Sequence, residues 1–126
     1  MVIEGLLYTK DHEWARIDAD VVTIGITDYA QQMLGELVFV ELPDIGKECA
    51  GRDELAVVES TKAANDIFSP VAGKVVEANA ELESRPELVN EDCYNAGWIC
   101  KLQVTDMKSI EGLMDSKQYE EYLAGR

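Results

Sequence analysis

Hydrophobic and polar positions along this chain repeat mostly at the short period of β structure, in brief runs broken by turn-forming clusters. Tyr8-Thr9-Lys10 and Trp14-Ala15-Arg16-Ile17 predict a first pair of strands around Asp11-His12-Glu13. Asp18-Ala19-Asp20 is a turn, and Val21–Ile26 is a β-branched strand. Thr27 or Asp28 supplies an N-cap for a short helix through about Met33-Leu34, closed by Gly35. Ala30, Met33 and Leu34 share the face of that helix that a core should cover. Leu37–Leu42 is the next strand, ended by Pro43-Asp44, and Ile45 to Cys49 reads as a turn into a weak strand.

Asp53 to Val58 and Asn65 to Phe68 predict two strands joined by a small, polar connection, a β-hairpin or tight β-turn with Lys62 at its tip. Ser69-Pro70-Val71-Ala72-Gly73 turns the chain into a strand over Lys74–Ala78. Leu82 to Asn90 is a short helical or irregular connection, with Pro86 in the first turn of a helix that Ser84 would cap. Asn95-Ala96-Gly97 is a turn, and Trp98–Val104 is a late strand with alternating faces. From Thr105-Asp106 the pattern becomes helical. Ile110, Leu113 and Met114, then Tyr119, Tyr122 and Leu123, fall at helical spacing in a tail over about 106–124. This many short strands with regular turn signals predict a mainly-β sandwich or small barrel in one domain, 1–126.

The apolar fraction of 47% in 126 residues suffices for one real core. No run is long and apolar enough to cross a bilayer, so no membrane role is expected. The start, Met1 to Tyr8, lacks a basic n-region, a long apolar stretch and the Arg/Ser bias of a presequence. That start predicts a cytoplasmic, bacterial-type protein, with a mature mitochondrial form as the alternative. The net charge of −14, from 25 acidic against 11 basic side chains, argues against nucleic acid and anionic membrane surfaces. It suits docking to basic patches on partners, although solubility alone accounts for it equally. Cys49, Cys93 and Cys100 are odd in number and lack CxxC spacing, which favours a reducing compartment.

A single histidine makes a closed zinc site improbable, and His12-Glu13 lacks the second histidine of HExxH. With no nucleophile or base partner in view, His12 reads as a packing or hydrogen-bonding residue, and Trp14 and Trp98 as core anchors. No nucleophile–base pair, metal cluster or phosphate-cradling loop marks the chain as an enzyme. On spacing alone, a lysine at a turn tip is a solvated charge.

The residues around that lysine change the reading. Glu59-Ser60-Thr61-Lys62-Ala63-Ala64 resembles the attachment motif of lipoyl carriers, in particular the glycine cleavage H-protein family. The likeness spans nearly the whole chain: Tyr8-Thr9-Lys10-Asp11-His12-Glu13-Trp14, then Thr23 to Gln31, Leu34-Gly35-Glu36 and Phe39 to Pro43. It continues through Val58 to Ile67, Ser69 to Gly73, Leu88-Val89-Asn90 and Gly97-Trp98. Two positions depart from it. Thr61 stands where the family often has valine, keeping a β-branched neighbour for the lysine. Cys93 stands where a proline commonly precedes the tyrosine now at Tyr94, which should loosen a surface turn.

The resemblance implies a flattened antiparallel barrel or sandwich of the lipoyl-biotinyl hammerhead type, with short helices and a C-terminal helical segment. It implies lipoate in amide linkage on Lys62, within an attachment turn of Glu59, Ser60, Thr61 and Ala63. It implies a non-catalytic shuttle between glycine decarboxylase (P protein) and the tetrahydrofolate-dependent aminomethyltransferase (T protein), reoxidised by dihydrolipoyl dehydrogenase (L protein). A lipoyl ligase or transferase would install the group, with Glu59 helping its recognition. A cleft for the loaded arm is also implied, with Glu13 and Asp66 as candidate carboxylate partners that pair its cationic amine and shield it from water.

Three other readings share the fold. A biotinyl carrier usually has its lysine between two methionines, whereas Lys62 lies between Thr61 and Ala63. A lipoyl domain of a 2-oxoacid dehydrogenase would be followed by a linker and further domains. An H-like lipoyl relay or regulatory lipoyl acceptor would have the same sequence features.

Overall fold

A computed structural model describes residues 2–125. In chain order the elements are β1 (Leu7–Tyr8), β2 (Glu13–Asp18), β3 (Val21–Ile26), α1 (Asp28–Leu34), β4 (Leu37–Glu41) and β5 (Glu48–Cys49). The lysine hairpin, β6 (Glu54–Ser60) and β7 (Ala64–Phe68), comes next. Then follow β8 (Ala72–Ala78), α2 (Glu81–Ser84), α3 (Leu88–Glu91), β9 (Cys100–Asp106), a 3-10 helix (Met107–Gly112) and α4 (Ser116–Ala124).

The strands form two antiparallel sheets, one ordered β1-β2-β3-β9-β8-β5 and the other β4-β6-β7. The sheets keep separate edges, so the sandwich form holds and the barrel does not close. Period-2 alternation explains the packing. Val22, Ile24 and Ile26 of β3 share one buried cluster with Val75 and Leu102 of the same sheet and with Val40, Leu55, Val58 and Ile67 of the smaller sheet. Each such aliphatic side chain contributes roughly 1.5–3 kcal/mol of burial. A second, aromatic cluster joins Leu6, Tyr8, Trp14, Cys93, Tyr94 and Tyr119.

Helix α1 is capped at Thr27, whose side chain accepts the Ala30 N–H, and ends at Gly35, as its sequence predicts. Its apolar face is narrower than expected. Leu34 is buried and Ala30 packs on the core, but Met33 is 62% exposed. Ser84 does not cap a following helix. Its hydroxyl donates to the Glu81 carbonyl, so it closes α2, while Pro86 sits in the bend between α2 and α3.

The late strand begins at Cys100 rather than Trp98, which is only half-buried with Lys101 Nζ 5.3 Å from its ring centroid. Cys93 is not in a loose surface turn. It is buried in the aromatic cluster, its carbonyl accepts the Trp14 Nε1–H at 3.0 Å, and burial pushes its thiol pKa up to about 12. The tail is helical in two pieces: the Ile110 segment is a 3-10 helix, and α4 starts at a capping box built by Asp115 and Gln118.

Trp14 and Gly25 are direct partners on β2 and β3, and the indole lies across the glycine. A Cβ at residue 25 would fall 2.5 Å from Trp14 Cζ2, inside any real contact. Gly25→Ala should therefore cost about 1–3 kcal/mol of unfolding free energy through overpacking, read from urea denaturation. A midpoint equal to that of the unmutated chain would show that the indole can move aside.

Candidate functional site

The hairpin tip is built by one serine. Glu59 pairs with Ala64, and the Ser60 N–H donates to the Ala63 carbonyl at 2.8 Å. The Ser60 hydroxyl oxygen then accepts from the N–H groups of Lys62 and Ala63, at 3.3 and 3.2 Å. The turn's own amides are satisfied from within it, which fixes the tip without burying Thr61, Lys62 or Ala63. All three stay exposed.

The lysine stem passes beside Gly35. A Cβ at Gly35 would sit 3.4 Å from Lys62 Cε and 3.7 Å from Nζ. Gly35 also has φ +80°, a left-handed value that glycine adopts without strain. Asn90 holds this corner. Its Nδ2 donates to the Gly35 carbonyl at 2.8 Å and to Gln31 Oε1 at 3.0 Å, while its Oδ1 accepts the Leu37 N–H at 2.9 Å. The Leu88-Val89-Asn90 block is thus tied to Lys62 through backbone placement, which local spacing could not show.

Beside the hairpin runs a groove of about 310 Å³, lined by Asp11, His12, Tyr29, Met33, Ala63 and Asp66 among others. A larger hollow of about 520 Å³ lies past Asp11 toward Arg52 and Met114, away from the hairpin. Asp66 lines this groove and Glu13 does not. Glu13 is 1% exposed, and its carboxylate accepts the Thr9 hydroxyl at 2.6 Å and the Phe68 N–H at 3.3 Å. Arg52 ion-pairs with Asp11 and places Nη1 3.8 Å from Glu13 Oε1. Asp11, His12 and Tyr29 are groove residues that sequence reasoning did not assign to the cleft.

His12 adopts φ +70° and packs at a tilt of 41° against Tyr29, with ring centroids 4.5 Å apart. Its Nδ1 is 2.8 Å from the buried Tyr119 hydroxyl, which lies 2.8 Å from Thr27 Oγ1. Thr27 Oγ1 already accepts the Ala30 N–H. Every hydroxyl hydrogen in this buried chain is used if Thr27 donates to Tyr119 and Tyr119 donates to His12 Nδ1. That direction leaves the imidazole proton on Nε2. Nitrogen-15 NMR of His12 should show the Nε2–H tautomer, and an Nδ1–H signal would reverse the chain.

An exposed primary amine on a rigid hairpin, mounted on a two-sheet sandwich beside a groove, defines a swinging-arm carrier domain. The chain matches the glycine cleavage H-protein family over residues 6–126. It is 50% identical over 122 residues to the glycine cleavage system H protein of Halothermothrix orenii, covering 97% of this chain and 95% of that one. Identity to the H protein of Alkaliphilus oremlandii is 52% over 120 residues, covering 95% and 94%. The crystal structure of the H protein from Mycobacterium marinum superposes with TM-score 0.87 at 34% identity, covering 98% of both chains. This chain belongs to the glycine cleavage H-protein family, whose members are non-catalytic carriers holding lipoate covalently on a lysine. No helix among the described residues is long and apolar enough to cross a membrane.

Glu13 sets a pH dependence. Burial raises its pKa above the ordinary carboxylate value, while the Thr9 hydroxyl and Phe68 N–H pull it back only in part. A carboxyl raised on folding binds its proton more tightly in the native state, so it favours folding at low pH. That contribution is lost as pH rises from the unfolded value through the folded one. Denaturation of the unmutated chain and Glu13→Gln across that range should show the variant gaining relative stability as pH rises above about 4. A pH-independent difference would mean that Glu13 titrates alike in both states.

Proposed function

We propose that Lys62 is the lysine that carries lipoate in this chain, and that the groove beside the hairpin shelters the free end of the arm. The observation that carries this reading is the placement of Lys62. It stands at an exposed tip beside Gly35, and its neighbour Ala63 lines the groove. The open amine suits an amide-linked acyl chain.

When bound, lipoate supplies a dithiolane whose disulfide opens to accept a one-carbon amine fragment. The residues of the chain do the rest. Ser60 keeps the tip rigid, and the small Ala63 leaves the approach to Nζ open. Tethering at such a tip gives an effective concentration on the order of millimolar at each docked active site. Asp66 lines the groove with negative charge suited to a cationic amine, while Asp11 beside it is paired with Arg52. Glu13 acts from behind, accepting the Phe68 N–H and so fixing the end of β7, the strand that carries Asp66.

In this reading the chain receives its cargo from glycine decarboxylase, presents it to aminomethyltransferase, and is returned to the oxidised form by dihydrolipoyl dehydrogenase. A lipoyl ligase or transferase modifies it first. The free thiols of Cys49, Cys93 and Cys100 are in keeping with a reducing cytoplasm.

The test is intact mass with peptide mapping after expression in lipoate-supplemented cells, beside Lys62→Arg. One lipoyl increment on Lys62, absent from the variant, is expected. A biotin increment, or none despite a competent ligase, would overturn the assignment.

A further inference from the structure

Residue 52 is an arginine in a backbone conformation that suits glycine. Its φ is +76°, in the left-handed region where a Cβ is strained. The turn that carries it is tied to the end of the lysine hairpin. The Arg52 N–H donates to the Ser69 carbonyl at 2.7 Å, and the Ser69 N–H donates to the Asp53 carbonyl at 2.7 Å. Those backbone bonds are open to glycine as well, so what sets Arg52 apart is the reach of its side chain.

The guanidinium reaches the end of the groove away from the hairpin tip. It ion-pairs with Asp11, places Nη1 3.8 Å from Glu13 Oε1, and lies 5.8 Å from the centre of the Phe68 ring. Asp11 lines both the groove and the larger hollow of about 520 Å³, whereas Arg52 lines only the hollow. Asp11 is therefore a wall common to two spaces, and Arg52 grips it from the hollow side. Both partners are half-exposed, so the pair adds little to stability. What it fixes is position. The loop between β1 and β2 carries Asp11 and His12, and both line the groove.

We propose that Arg52 is a positioning residue that closes this end of the groove: it holds Asp11 between groove and hollow and so keeps water in the hollow from the free end of the arm. This rests on the reading of the groove as the shelter of the loaded arm. The reaction kept out is a hydrolysis. Water bonds through its oxygen to the carbon that lies between sulfur and nitrogen, and the C–N and C–S bonds break. Ammonium, formaldehyde and the free thiol result, with no change of oxidation state. Pairing Asp11 with Arg52 also leaves the cationic amine to Asp66, the other carboxylate of the lining.

The experiment uses the full lipoylated chain, loaded with glycine and glycine decarboxylase and then separated from that enzyme. Loss of the aminomethyl group is followed by intact mass and by formaldehyde release. Arg52→Gly is the informative variant, because glycine relieves the left-handed backbone while removing the guanidinium. Its urea midpoint should equal or exceed that of the unmutated chain, while its loaded form decays about fivefold faster. Arg52→Lys, which keeps a cation for Asp11, should decay at close to the unmutated rate. In an Asp11→Asn background, Arg52→Gly should add nothing, since no ion pair remains to be lost. In the unlipoylated chain the His12 N–H, which donates to the Thr9 carbonyl at 3.2 Å, should exchange with solvent faster in Arg52→Gly.

Decay of Arg52→Gly within about twofold of the unmutated rate would overturn the proposal and leave the shelter intact. Faster decay that comes with a lowered midpoint and persists in the Asp11→Asn background would mark a merely structural role and overturn it too. If the unmutated loaded chain decays as fast folded as in urea, the shelter reading falls, and this proposal with it.

Discussion

Two sheets packed through aliphatic side chains could slide against each other, because dispersion and burial are not directional. What fixes their relative position near the lysine is a buried carboxylate. Glu13 leaves β2 of the larger sheet and accepts the N–H of Phe68, on β7 of the smaller one. Glu13 is 1% exposed, so losing the bond would leave one carboxylate oxygen desolvated without its donor, at a cost of about 1–3 kcal/mol. Thr9, from the preceding loop, donates to the other carboxylate oxygen. The strand that leaves the lysine turn is therefore anchored by chemistry rather than by contact area alone, and Asp66, two residues before Phe68, inherits that anchoring.

The C-terminal helix provides the second constraint. Tyr119 stacks on Tyr8 with centroids 4.5 Å apart, and its hydroxyl reaches both His12 and Thr27. One side of the groove is the loop carrying His12, and another is α1, which Thr27 caps. A single phenol thus ties both to a helix far along the chain. The tail is part of the groove's framework, although it contributes none of the groove's lining.

Much of this was legible in the sequence where the signal is local. The strand over Val21–Ile26, the cap at Thr27, the stop at Gly35 and the hairpin around Lys62 each depend on residues within a few positions of one another. The sequence could not show which side chains meet from afar. Asp66 lines the groove, whereas Glu13 is buried outside its lining and is held by Thr9 and Phe68. His12, read as a packing or hydrogen-bonding residue, does hydrogen-bond, and it also lines the groove. Met33 sits on the apolar face by helical spacing yet stays exposed, lining the groove rather than the core. Cys93 was read as a surface residue because its proximity to Trp14 depends on contacts some eighty residues apart.

The pairing that places Lys62 at the tip has a consequence for how this protein can change over time. Side-chain direction in a strand reverses with every residue, so the hairpin works as a counted length. Substitutions along β6 and β7 leave the count alone, and the outer face can drift in composition as its partners drift. One inserted or deleted residue between Leu55 and Ile67 would turn Val58 outward or carry the lysine off Gly35. Selection should therefore tolerate spelling changes in this segment while rejecting changes of length.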